Sequence, residues 1–246
     1  MSIAHLNRIY TIMAIIGVID SGVGGVSTLS AVSSLLPSEN YIYVADRSHC
    51  PYGGRSDSFI IERVGGICEM LVGIGADAVA LACNTATNVC IDILRERFSR
   101  TLIVGVEPAI KPAVEELTFG KALVLLTPAA AVQSKFLSLL EAFDRDRIIV
   151  SPQPSLAALI ENNIGDLKKI GGEVERLLSP LITPEIESVV LGCTHYCLIR
   201  DKIADIFAAK IYDGNVGAAI RLYSLLKQKK LISRGGRGEG VRFVRL

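Results

Sequence analysis

The sequence predicts an α/β protein built from two pseudo-symmetric halves, with mainly parallel sheets and a functional cleft between the halves. Three observations carry that expectation. Short apolar runs alternate with longer amphipathic stretches; a two-proline pause, TLIVGVEPAIKPAV, interrupts the alternation at 101–114; and one phrase occurs twice, as AVALACNTAT around Cys83 and SVVLGCTHYC around Cys193. Strand-length apolar runs separated by helix-length segments make βαβ units, whose parallel sheets are covered on both faces. The chain has 246 residues, half of them hydrophobic, enough for one large core or two smaller ones.

Taken in order, the N-terminal RIYTIMAIIGVID has an apolar part too short for a bilayer, no cationic start with a small-residue cleavage site, and runs straight into DSGVGG. It reads as an extra tail leading into a buried first strand, with Met13 a candidate original start. Strands are expected at Ala14 to Ile19, Tyr41 to Ala45, Ala78 to Ala82, Leu102 to Val104, Ala122 to Leu126, Ile148 to Val150, Ser188 to Leu191 and Lys210 to Tyr212. Helical stretches are expected at Gly25 to Leu36, Ser56 to Ile74, Ala86 to Phe98, Ala129 to Phe143 and Leu198 to Ala208. The proline pause marks a passage from one half to the other; the domains expected are a discontinuous first, 1–98 plus 211–246, and a second, 99–210. The basic, glycine-rich C-terminus, KQKKLISRGGRGEGVRF, has a single aromatic residue and reads as a solvated tail or terminal strand rather than a nucleic-acid patch.

Composition narrows the function. Lys and Arg number 26 against 25 Asp and Glu, leaving no strong field to attract nucleic acid or an anionic membrane. A small molecule is the expected partner. Six cysteines in a long, core-rich chain without a secretion signal are expected to be free thiols in a reducing cytoplasm. DSGVGG supplies a tight turn that brings backbone close to a ligand, through glycine's freedom to adopt positive φ. It lacks the Walker lysine and does not fit the dinucleotide fingerprint.

In open α/β sheets ligands bind beyond the carboxyl ends of the strands, where both repeated cysteines fall, so the two thiols are expected to face each other across a cleft. A thiolate is a competent base, and a thiol on the opposite face can return a proton; together they invert a carbon stereocentre. A Cys-His hydrolase would leave the twin thiol without a role. Cys193, His195 and Cys197 alternate as on one strand face, but no second Cys/His cluster completes a zinc site, so no metal is expected. Cys50, Cys68 and Cys90 read as small buried hydrophobes.

IGVIDSGVGGVSTL, PYGGRS, ACNTAT, EPAIKPA, SLAALIE and LGCTHY together resemble the glutamate racemases of the aspartate/glutamate racemase superfamily, from about Ile15 to Arg221. The resemblance implies a cofactor-independent, cytoplasmic, homodimeric racemase that interconverts L- and D-glutamate for peptidoglycan synthesis. Aspartate, or another α-substituted acid, is the alternative substrate. It also implies that Cys83 and Cys193 are the catalytic pair, with Asp20 near the first thiol and Glu161 and His195 near the second. Ser21, Pro51, Tyr52, Gly53, Asn84, Thr85, Thr127 and Thr194 match positions that hydrogen-bond the amino acid. The chain departs from the pattern at Cys197, at Arg47, Ser48 and His49, and at Leu126.

Overall fold

The computed structural model describes residues 13–233 and 240–246, so the expected N-terminal tail at 1–12 and the glycine-rich stretch 234–239 lie outside the described residues. The first half runs β1 (Ile15–Asp20), α1 (Val26–Leu35), β2 (Asn40–Ala45), α2 (Asp57–Gly73), β3 (Ala78–Leu81), α3 (Asn84–Arg97) and β4 (Leu102–Gly105). The second runs α4 (Ile110–Glu115), β5 (Lys121–Leu126), α5 (Pro128–Val132), α6 (Ser134–Leu140), β6 (Ile148–Pro152), α7 (Leu156–Asn162), α8 (Gly171–Leu178), β7 (Ile186–Leu191), α9 (Arg200–Phe207) and β8 (Lys210–Asp213). The chain then returns through α10 (Asn215–Gln228) to β9 (Val241–Arg245).

Two parallel sheets result, ordered β4-β3-β1-β2-β9 and β6-β5-β7-β8. Read from the other edge, the second is β8-β7-β5-β6, the same winding as β4-β3-β1-β2. The correspondence holds to the residue: Leu81 pairs with Ile19 and Leu191 with Leu125. Just beyond, Ala82 N–H donates to the Ile19 carbonyl at 2.8 Å and Gly192 N–H to the Leu125 carbonyl at 2.7 Å. Cys83 and Cys193 each follow those residues directly, so the repeated phrase places the two thiols at equivalent points of the two halves.

The strands read as apolar runs because helices cover both faces. β3, the sequence AVAL, is buried throughout. On one face of the first sheet Val79 and Leu81 pack with Ile60, Val64, Leu71 and Leu94 of α2 and α3; on the other, Val18 and Tyr43 pack with Val32, Leu222 and Leu226 of α1 and α10. Each fully buried leucine contributes about 1.5–3 kcal/mol. The edge strand β9 carries arginines and the exposed Phe243, whose ring meets Tyr43 edge-on at 5.7 Å. The C-terminus is therefore a terminal strand where it is described.

Several expectations shift. β4 pairs with β3 and β8 with β7, so the crossings between sheets follow Gly105 and Asp213, a few residues beyond 98 and 210. The single helix expected over Ala129 to Phe143 is two, because Gln133 takes an extended backbone between α5 and α6. α10, absent from the expected elements, closes the first half. The glycines of DSGVGG are not in the left-handed region; among the described residues the positive-φ glycines are Gly75 and Gly240. Here glycine serves close approach instead: a Cβ on Gly25 would lie 2.6 Å from the Asp20 Cβ, and one on Gly24 2.6 Å from the His195 nitrogen.

Candidate active site

The carboxyl ends of the two sheets meet, and the residues there form one buried network. Cys83 stands at the start of α3 and Cys193 at the start of a 3-10 turn, Thr194–Ile199; both are buried. Asp20, the last residue of β1, has no exposed surface. Its Oδ1 accepts the Gly22 N–H at 2.8 Å, and its Oδ2 accepts the Thr194 hydroxyl at 3.0 Å from the other half. The reciprocal contact also exists: Thr85, two residues beyond Cys83, lies 3.2 Å from the Thr127 hydroxyl, beyond β5. Each cysteine loop thus reaches the first strand end of the opposite half.

Behind Cys193 runs a chain of polar groups. Its Sγ lies 3.8 Å from His195 Nδ1, and His195 Nε2 lies 2.9 Å from Glu161 Oε2. Glu161, on α7, also accepts the Val23 N–H at 2.9 Å and pairs through Oε1 with Arg47 Nε at 2.7 Å. Burial opposes ionisation of Glu161, but the His195 hydrogen bond, the Val23 N–H and Arg47 outweigh it and hold the carboxyl at about 2. An ionised Glu161 only accepts hydrogen bonds, so His195 Nε2 is the donor in that contact, with Nδ1 turned toward Cys193.

Both thiols are pushed the same way. Burial, then the Asp20 charge, pushes Cys83 up to about 11, against the Ala86 and Thr85 N–H groups opening α3 and the Ser21 hydroxyl. Burial, then the field of Cys83, pushes Cys193 well above its ordinary range. Burial likewise raises the Asp20 carboxyl. In this closed arrangement both thiols hold their protons, and ionising Cys83 would further oppose ionisation of Cys193.

The remaining expected ligands divide. Ser21, Thr85, Thr127 and Thr194 line the network, and Gly53 abuts Thr127, where a Cβ would meet the threonine Cβ at 3.2 Å. Asn84 opens α3, but its side-chain amide donates to the Val106 carbonyl at 3.2 Å, tying the helix to the crossing segment. The Tyr52 hydroxyl donates to Asp46 Oδ2 at 2.8 Å, which Arg63 also engages. Pro51 follows Cys50 through a cis peptide bond. Cys68 and Cys90 lie in the core under α2 and α3, as packing residues should.

Cys50 departs from its expected packing role. Half-buried, its Sγ lies 3.8 Å from His195 Nε2 and 3.9 Å from the Ser21 hydroxyl. Arg47, noted only as a departure, pairs with Glu161. The signal was the neighbouring PYGGRS motif, since a loop that delivers Pro51 to the site delivers Cys50 too. The alternation of Cys193, His195 and Cys197 does not put them on one strand face, because the segment coils into a 3-10 turn. Cys197 instead accepts from Asn215 Nδ2 at 3.6 Å.

The chain has clear relatives among known proteins. Residues 16–222 match the model of the Asp/Glu/hydantoin racemase family. The chain is 40% identical over 227 residues to a glutamate racemase of Pseudomonas putida, covering 89% of this chain and 84% of that protein. A glutamate racemase isoform from Bacillus anthracis superposes with a TM-score of 0.82 at 29% identity, over 94% of this chain and 88% of that one. The Escherichia coli glutamate racemase, solved with L-glutamate and an activator, superposes with a TM-score of 0.83 at 27% identity, over 95% of this chain and 98% of that one.

Proposed function

The chain belongs to the Asp/Glu/hydantoin racemase family, and we infer from that membership and from the site that it is a glutamate racemase working by two-sided proton transfer between Cys83 and Cys193. The observation that supports this most directly is the equivalent placement of the two thiols, one from each sheet, joined through Asp20 to Thr194 and Thr85 to Thr127. The glutamate racemases among its relatives support the substrate. The product D-glutamate serves peptidoglycan synthesis.

In the proposed mechanism, glutamate binds between the halves with its Cα flanked by the thiols. Its ammonium supplies positive charge where the buried site otherwise favours neutral thiols. On one face Cys193 passes its proton to His195 Nδ1, backed by Glu161, and the thiolate takes the Cα proton; on the other Cys83 delivers a proton, with Asp20 as its charged neighbour. The reverse reaction exchanges the roles. Ser21, Thr85, Thr127, Thr194 and the N–H groups opening α3 orient the carboxylates. No step calls for a cofactor. Because both thiols are buried, access requires the two sheets to part about the crossings after Gly105 and after Asp213, so each sheet with its helices acts as one domain. Among the described residues no helix is long and apolar enough to cross a membrane. We further propose a cytoplasmic homodimer: the six free cysteines support a reducing compartment, and the dimer follows the family.

Circular dichroism of each pure enantiomer tests the reading. Chelator-treated protein should carry L- and D-glutamate alike to zero signal and leave aspartate unchanged. Faster decay of aspartate would replace glutamate as substrate, and no decay of either would refute the racemase.

A further inference from the structure

Among the described residues, three potential metal ligands of different chemistry converge at one point: Cys50 Sγ, Glu161 carboxylate and His195 Nε2, all within 4.8 Å of one another. The thiol and imidazole are 3.8 Å apart and the imidazole and carboxylate 2.9 Å. Tetrahedral zinc with one S, one N and one O ligand has its N and O donors about 3.3–3.5 Å apart and its S about 3.5–3.6 Å from either, so the thiol need close on the imidazole by only about 0.2–0.3 Å and the carboxylate withdraw from it by about 0.5 Å to share an ion. The donors come from three elements: the loop after β2, helix α7 and the turn after β7. Gly22, having no side chain, lets two of them close on the same loop, since a Cβ there would lie 2.7 Å from Cys50 Sγ and against Glu161 Oε2. The surroundings are anionic: Glu161 and Asp20 both act on Cys50. Arg47, about one-third exposed, is the cation paired with the cluster.

We propose that Cys50, Glu161 and His195 form an inhibitory site for a thiophilic divalent cation, Zn²⁺ being the best match of charge and ligand softness. The proposal rests on the racemase reading for its consequence, inhibition. Coordination releases the Cys50 thiol proton to solvent and leaves the single imidazole proton on Nδ1, facing Cys193. His195 can then no longer accept the Cys193 proton, and Glu161 is withdrawn from its support. The same three side chains thus change from a proton relay to a metal clamp, and racemisation stops without any loss of fold.

Co²⁺ reports the site by spectroscopy and Zn²⁺ by inhibition, both on chelator-treated full-length protein. One equivalent of Co²⁺ should give a thiolate-to-cobalt charge-transfer band, and Zn²⁺ should inhibit racemisation reversibly by chelator. In Cys50→Ser and Cys50→Ala the band should vanish and the inhibitory Zn²⁺ concentration should rise at least about tenfold, the loss that even partners outside the coordination sphere cause, while racemisation persists. Retention of band and inhibition in both variants, with loss of the band in Cys83→Ala, would place the ion on the catalytic thiols and overturn the proposal; absence of any stoichiometric Co²⁺ band would overturn it equally. The cobalt titration reads the site even in a chain that racemises nothing, so failure of the metal site and failure of the racemase are separable.

Discussion

Replacement of Glu161 by Gln is the sharpest test of the polar chain behind Cys193. The carboxyl is held at about 2 against an ordinary 4.5. At about 1.4 kcal/mol per tenfold change in acidity, that difference is worth about 3 kcal/mol of native-state stability. The Arg47 side chain is 32% exposed, and solvent screening there trims the figure to about 2–3 kcal/mol. The sign follows from which state takes up the proton first. The unfolded carboxyl protonates near 4.5 and the folded one near 2, so the contribution is complete above pH 4.5 and drains as pH falls toward 2. Urea denaturation of the wild type and Glu161→Gln should show a gap of about 2–3 kcal/mol at neutral pH. At about pH 3.5 the gap should be roughly 1 kcal/mol smaller, because the wild type alone loses this contribution. A gap of the same size at both pH values would mean that the effect is packing, and that Glu161 is not held ionised by His195, Val23 and Arg47.

Cys83→Ser and Cys193→Ser should each lower kcat in both directions by about 10²-fold or more by circular dichroism, whereas Cys68→Ala, in the core under α2, should leave kcat within about twofold of wild type. Gly25→Ala should destabilise the fold by about 1–3 kcal/mol in urea titration, since its Cβ would meet the Asp20 and Ala82 Cβ atoms at 2.6 and 2.9 Å; Gly54→Ala, with nothing within 4 Å, serves as the neutral control. Asp20→Asn and His195→Asn should lower kcat unequally for the two enantiomers, with compensating shifts in KM that keep the two specificity constants equal, as an equilibrium constant of one demands. Unchanged kcat in both directions with raised KM would make those residues ligands only.

The sequence made the architecture legible through period and length. Parallel strands covered on both faces must be continuously apolar, as AVAL at β3 is, and no helix can be written in four such residues. The two thiols were legible because the same strand-end phrase recurs, and the strand register explains why: Leu81 and Leu191 occupy matching rungs, so the residues two places on fall at matching points of the site. The split between α5 and α6 left no comparable mark. Nothing in AAAVQSKFL breaks the helical pattern, and only the extended backbone at Gln133 separates the two.

The site was less legible where its contacts cross between the halves, because no local rule ranks one loop against another. Cys50 was readable only through its chain neighbours in PYGGRS, since its own residue type is that of a small hydrophobe; proximity to His195 comes from folding the loop after β2 against the turn after β7. Arg47 is the same case with charge. Taken alone it is a polar loop residue, but paired with Glu161 across the cleft it links the first half to the relay serving the thiol of the second. Asp20 to Thr194, Thr85 to Thr127 and Val23 to Glu161 are further polar ties between the halves. A motion that opens the cleft must break them all, while each thiol keeps its own neighbour, Asp20 with Cys83 in the first half and His195 with Cys193 in the second. Closure around glutamate therefore joins two half-sites that are each already assembled: what the open state lacks is the thiol across the cleft, and a base on one face without an acid on the other cannot invert a stereocentre.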